Sequence, residues 1–193
     1  SNMKNVYGLP VVVAINRFPT DTENEIALVM KECAALGVNA VLSTVHAEGG
    51  AGGENLAREV VRLCENKHAD FRFSYPDEMT LTQKTEAVVR RVYGGSGITV
   101  LPAAQKQLQT LEALGFGKCP VCIAKTQYSF SDDPAKVGAP SDFTVTVRNV
   151  RVCAGAGFVV ILTGDIMTMP GLPKSPAAER IDVDESGKIT GLF

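Results

Sequence analysis

Apolar positions along the first third of the chain switch between two periods. Residues 9–16 (Leu-Pro-Val-Val-Val-Ala-Ile-Asn) form a continuous, largely β-branched run without polar alternation, which predicts a strand buried on both faces of a parallel sheet. Thr20 with Glu23 three residues later reads as a capping box, and Ile26, Met30, Cys33 and Ala34 follow at helical spacing up to Gly37, the expected C-cap. Residues 40–44 predict a second short buried strand. Beyond Gly49-Gly50-Ala51-Gly52-Gly53, residues 54–67 predict an amphipathic helix whose inner face carries Leu56, Val60, Val61 and Cys64. Strand, helix, strand, loop and helix in this order imply parallel strands with ligand loops at their carboxyl ends.

From about residue 71 the pattern changes. A helix over 81–93 is closed by Gly94-Gly95-Ser96-Gly97, and a short strand over 98–101 and a helix over 103–114 ending at Gly115 follow. Strands are expected over 121–125, 143–153 and 158–163. In the second of these Phe143, Val145 and Val147 alternate with Thr144, Thr146 and Arg148, the mark of a half-exposed strand in antiparallel pairing. Ala154-Gly155-Ala156-Gly157 reads as a hairpin turn, and a terminal hairpin pairs 181–183 with 189–192 through Asp184-Glu185-Ser186-Gly187. The expected organisation is an α/β part over 4–76 and an α+β domain with antiparallel strands over 77–193. Ser1-Asn2-Met3 reads as the remnant of a cleaved tag.

Composition narrows the function classes. Nineteen Lys plus Arg against 21 Asp plus Glu leave a formal charge of −2, so no basic field exists to hold a phosphate backbone, and nucleic acid is not an expected partner. Apolar stretches such as 11–15 and 158–162 reach about five residues, far below the roughly 20 that span a bilayer, so no membrane association is expected. Five cysteines make an odd number in a chain long enough to build a core, which favours a reducing, cytoplasmic setting over a disulfide scaffold. Cys119-Pro120-Val121-Cys122 has redox or half-zinc spacing, but it opens an apolar strand rather than a helix, and Cys33, Cys64, Cys153, His46 and His68 are scattered singly. It therefore reads as structural burial, with no metal site expected.

Four loops carry candidate chemistry. In the first, Asn16 ends the opening strand and Asp21 follows shortly after. The pair resembles the base-reading loop at the sheet edge of nucleotide-binding folds, and equally a helix N-cap with a turn. Phe18, beside Pro19, lies outside the apolar period of the following helix and suits a stacking platform for a flat ligand. The second loop, 45–54, is glycine-rich but lacks a following Gly-Lys-Ser/Thr, so it is not a phosphate loop; a plain connection and a binding loop both fit. The third, 125–134, is polar and aromatic straight after a strand, and the fourth, 168–174, is stiffened by Pro170 and Pro173.

Together these loops resemble formate–tetrahydrofolate ligase, also called formyltetrahydrofolate synthetase. The matching runs are Val-Ala-Ile-Asn-Arg-Phe-Pro-Thr-Asp-Thr from Val13, Ala-Glu-Gly-Gly from Ala47, Ala-Lys-Thr-Gln-Tyr-Ser-Phe-Ser-Asp-Asp from Ala124, Ile-Met-Thr-Met-Pro-Gly-Leu-Pro-Lys from Ile166, and the terminal Gly-Leu-Phe. The resemblance implies the C-terminal part of a P-loop NTPase-like parallel α/β sheet followed by a small α+β domain. It also implies an ATP- and Mg²⁺-dependent ligase that joins formate to tetrahydrofolate through formyl phosphate, giving 10-formyltetrahydrofolate, ADP and phosphate, with a monovalent cation as a further cofactor. By the same resemblance Phe18 stacks on the pterin, Pro19 flanks it and Leu42 is an apolar wall. His46 takes the place of a family Trp that covers the other pterin face, and an imidazole offers less stacking area than an indole. Asn16 and Asp21 are the nucleotide-side candidates, and no catalytic residue is expected among these 193. The cation and Mg²⁺ clamp for phosphoryl transfer lies elsewhere in the family's length, so this chain alone is expected to be inactive. The alternatives are a non-catalytic folate-binding module or a subunit-interaction module. An apolar edge around the first two strands leads to an expected homo-oligomer.

Overall fold

The computed structural model describes residues 1–66, 69–164, 166 and 173–191. Strand β1 (Val12–Asn16) pairs in parallel with β2 (Asn39–Ser43) through the crossover helix α1 (Glu23–Ala35). The register runs from Val12 opposite Asn39 to Asn16 opposite Ser43. β1 is shorter than the apolar run over 9–16 predicts, β2 keeps its expected length shifted by one residue, and neither is buried on both faces: β1 is half-buried at best, with Ala14 and Asn16 exposed. A β-branched run sets extended backbone and parallel pairing, but burial needs layers on both sides of the sheet. Here α1 and helix α3 (Glu54–Asn66) pack against this two-stranded sheet.

Helix α1 starts two residues later than the Thr20–Glu23 pattern suggests. Thr22 is the N-cap, its hydroxyl accepting from the Glu25 N–H while the Glu25 carboxylate accepts from the Thr22 N–H. Residues 18–21 are already spent in a turn closed by the Asp21 N–H on the Phe18 carbonyl. At the other end Gly37 takes φ +65, the left-handed position expected of a C-cap glycine. The inner face of α3 is also shifted: Leu63 is buried and Leu56 and Glu59 are half-buried, whereas Val60, Val61 and Cys64 are exposed. The helix leans on β2 along a stripe narrower than its apolar surface.

The second region is a four-stranded mixed sheet in the order β3-β5-β6-β4, comprising β3 (Gly97–Val100), β4 (Val121–Ala124), β5 (Thr144–Cys153) and β6 (Phe158–Thr163). Only β5 and β6 pair antiparallel within it; β3 runs parallel to β5 and β4 parallel to β6. The expected antiparallel pairing through the 154–157 turn is present, and the two flanking parallel pairs are what the sequence pattern did not show. Helix α5 (Pro102–Ala113) carries the chain from one edge of the sheet to the other, and the hairpin then fills the middle. The alternation in β5 holds, with Val145 and Val147 buried, but a bulge at Arg148 resets its phase to Val150.

Helices α4 (Leu81–Val88), which continues in a π-type turn to Tyr93, and α5 supply the cover. Leu81, Ala104, Leu108 and Leu111 pack on Val147, Val150, Val159 and Ile161 in one cluster, and Val89, Phe143 and Val145 form a second. The Gln107 side chain accepts from the Val150 N–H at 2.9 Å, serving β5 beyond the end of β3. The terminal hairpin reduces to β7 (Asp182–Val183) and β8 (Ile189–Thr190), and Leu192 lies outside the described residues. No helix among the described residues is long and apolar enough to cross a membrane.

Candidate functional site

Two loops leave the carboxyl ends of β1 and β2 side by side because the strands are parallel and in register. The Arg17 N–H donates to the Ser43 carbonyl at 3.0 Å, carrying the ladder one residue past β1. The turn over residues 18–21 follows. The Phe18 N–H donates to Asp21 Oδ2 at 2.8 Å, and the Asp21 N–H donates back to the Phe18 carbonyl at 3.0 Å. Pro19 occupies the second position of this turn, where its fixed φ is favoured. The Arg17 guanidinium pairs with Glu23 at 2.5 Å and ties the first turn of α1 to the loop.

After β2 the chain enters a single helical turn, α2 (Val45–Glu48), and a 3₁₀ turn over Gly49–Gly53 that runs into α3. The glycine-rich segment is thus ordered connection rather than open loop. Thr44 organises it: its carbonyl accepts from the Ala47 and Glu48 N–H groups, its N–H donates to the Gly52 carbonyl at 3.1 Å, and its hydroxyl bonds the Glu48 carboxylate. A Cβ on Gly52 would lie 2.5 Å from the Thr44 carbonyl carbon and Oγ1, so the close approach requires glycine there. His46 projects from α2.

These two supports bring Phe18 and His46 together, with ring centroids 4.8 Å apart and planes at 43°. Phe18 is 43% exposed and His46 is exposed, so the pair forms an accessible aromatic corner. Leu42 is half-buried on β2, opposite Ile15. Asn16 is exposed at the last position of β1, while one oxygen of the nearby Asp21 is engaged by its own loop.

The third loop builds a separate polar cleft of 730 Å³ that includes Lys125, Tyr128, Asp132, Arg148 and Thr163. The Lys125 ammonium donates to the Thr126 carbonyl at 2.8 Å and to the Ser129 carbonyl, and lies 5.3 Å above the Tyr93 ring. Burial lowers the Lys125 pKa from its ordinary value, partly opposed by Asp132. Asp132 Oδ2 accepts from the Thr146 N–H at 2.8 Å and anchors the loop to β5. Most of the fourth loop, like His68, lies outside the described residues. Cys122 is exposed and Cys119 half-buried, which corrects the expectation that both are buried: β4 is an edge strand and turns one face to solvent. Among the described residues no group of three or more His, Cys, Asp or Glu comes together to hold a metal ion.

Sequence reasoning missed Lys84. Its side chain is fully buried in α4, and its ammonium donates to the Gly117 and Cys119 carbonyls at 3.1 Å each, 5.9 Å from the Tyr75 ring centre. The signal was present in its spacing, three residues after Leu81 and four before Val88 on an otherwise apolar face. The formate–tetrahydrofolate ligase family model matches residues 1–193, and the chain belongs to that family.

Proposed function

We propose that this chain supplies the tetrahydrofolate end of the ligase site, with Phe18 and His46 as the two walls of a pterin slot, Pro19 beside it and Leu42 as its apolar floor. The family joins formate and tetrahydrofolate and uses ATP. What supports the assignment is the meeting of Phe18 and His46 at the carboxyl edge of the parallel pair, where ligands of α/β sheets bind. In this proposal β1, α1 and β2 are part of a P-loop NTPase-like sheet within 4–76, residues 77–193 form the α+β unit, and the setting is cytoplasmic. Asn16 faces the nucleotide side. Among the described residues no group of three or more His, Cys, Asp or Glu is placed to hold a metal ion, and these side chains are given no role toward Mg²⁺ or a monovalent cation. The sequence holds no Gly-Lys-Ser/Thr loop, and phosphoryl transfer is assigned to none of its side chains; the chain alone is inactive in this reading.

Titrating tetrahydrofolate against the wild type and Phe18→Ala tests it. Loss of one stacking face is worth about 1–3 kcal/mol, so the variant binds roughly 5- to 150-fold more weakly. Equal affinities refute the assignment. A second reading, subunit contact, draws on the exposed Leu28, Val29, Leu36, Val60 and Val61. Sedimentation that gives a monomer at all concentrations removes it.

A further inference from the structure

We propose that Asp21 is a positioning residue: its carboxylate fixes Phe18 as the stationary wall of the stacking slot, so that the slot opens by movement of His46. The inference rests on the folate reading above.

The two rings touch. A flat heterocycle held between two rings at van der Waals distance needs a centroid separation of about 7 Å, twice the ~3.5 Å contact distance, against the observed 4.8 Å. One wall must therefore yield by about 2 Å, the difference between the two separations. Phe18 is held on both sides of its Cα: its N–H by the Asp21 carboxylate, its carbonyl by the Asp21 N–H, with Arg17 before it bonded to β2 and Pro19 after it. His46 is differently placed. It is exposed on a single helical turn that ends at Gly49 with φ +61, and among the described residues its imidazole has the Phe18 ring as neighbour and no hydrogen-bond partner. Either ring turns about its own side-chain bonds, but the backbone that carries Phe18 is pinned by two hydrogen bonds, whereas His46 rides on a lone helical turn that ends at Gly49.

The same geometry separates this role from base reading. A carboxylate that recognises a nucleotide acts through its charge and a free acceptor edge, while a carboxylate that closes an Asx-type turn acts through the reach of one oxygen. Asp21→Asn keeps the reach and removes the charge; Asp21→Glu keeps the charge and overshoots by one methylene. Equilibrium dissociation constants for tetrahydrofolate and for ATP are measured on the wild type, both variants, Phe18→Ala and the Phe18→Ala/Asp21→Glu double variant, together with hydrogen exchange at the Phe18 amide.

The expected result is that Asp21→Asn binds tetrahydrofolate within about twofold of wild type and keeps the Phe18 amide protected. Asp21→Glu loses that protection and binds about tenfold more weakly, the scale of one hydrogen bond. On the Phe18→Ala background the Glu substitution adds nothing, since the wall it positions is gone; a loss from general unfolding would persist there. If Phe18→Ala weakens binding but neither Asp21 variant does, the positioning role is overturned and the folate site stands. If Asp21→Asn loses ATP while Asp21→Glu retains it, Asp21 is a nucleotide contact and the proposal fails. If Phe18→Ala itself binds normally, the folate reading falls and this inference with it.

Discussion

The two sheets of this protein solve opposite problems with similar residues. In the mixed sheet, β-branched side chains on β5 and β6 are sealed under α4 and α5, and Val145, Val147, Val159 and Ile161 are at most 1% exposed. In the parallel pair, Val12, Val13 and Ile15 belong to the same residue types yet stay half-buried, and among the described side chains of that region only Ile26, Leu63 and Ser43 are buried. The difference is layering rather than composition. One region concentrates burial; the other spends its strand ends on holding two aromatic rings at an open edge. Burial and the exposed aromatic corner thus lie on different sheets.

The largest test of that division is a pair of truncations. Ile161→Ala removes a fully buried side chain from the middle of the larger cluster and is expected to cost about 3–4 kcal/mol, the range for large-to-small changes in tight cores. Val13→Ala, in the parallel pair, is expected to cost about 1 kcal/mol or less, since little burial is lost. Urea midpoints followed by circular dichroism measure both. Equal costs would mean that the parallel pair is as much a core as the mixed sheet.

Next in size is Lys84. Replacement by Met keeps most of the apolar stem but leaves the Gly117 and Cys119 carbonyls without their donor, an expected loss of about 2–3 kcal/mol in the same denaturation experiment. A neutral result would show that water reaches these carbonyls and that Lys84 is dispensable to the turn leading into β4.

Much of the architecture was legible because local rules and tertiary context agree. The helices around Ile26 and Leu108, the hairpin at 154–157 and the C-cap at Gly37 all follow from period and glycine placement. The errors share one cause, the side of an element that a neighbour covers. Nothing in the sequence near Val60 says that α3 leans on Leu63 instead, and nothing near Cys122 says that β4 ends at an edge. Mixed pairing was hidden for the same reason, since β3 and β4 find their partners across dozens of residues. At the site, Phe18 was readable as an aromatic without a core role. The reciprocal bonds of Asp21 and the clamp of Thr44 on Gly52 were not, because both depend on how two loops close.

That clamp supplies a smaller test on the site's side of the comparison. Gly52→Ala forces a Cβ against the Thr44 backbone and must shift the support of His46, whereas Gly50→Ala meets nothing within 4 Å. The first is expected to destabilise by about 1–2 kcal/mol and to change tetrahydrofolate affinity; the second is expected to leave both within about 0.5 kcal/mol. Calorimetric melting and ligand titration read the two effects. If Gly50→Ala perturbs binding as much as Gly52→Ala, the backbone clamp is not what places His46.

The smallest expected effect lies where the two regions meet. Tyr93 lines a cleft of 540 Å³ shared by Val11, Val13 and the α1 residue Cys33 of the first region and by Val92 and Phe130 of the second. Burial raises its pKa above the ordinary 10.0, with Cys122 and Tyr7 adding to the shift. A phenol whose folded pKa exceeds its unfolded value holds its proton longer in the native state, so stability is intact below about pH 10 and declines as the pH rises from there towards the folded pKa. Tyr93→Phe removes this group with little change of shape. The stability difference between wild type and variant is therefore expected to be constant at about pH 8 and to shift in the variant's favour at about pH 10.5, measured as urea midpoints at the two values. The ammonium of Lys125 above the ring has its pKa moved the other way by burial and is common to both proteins, so taking the difference leaves chiefly the phenol. Parallel pH profiles would show that the Tyr93 hydroxyl is solvated in the folded protein and that the cleft between the two sheets is wet.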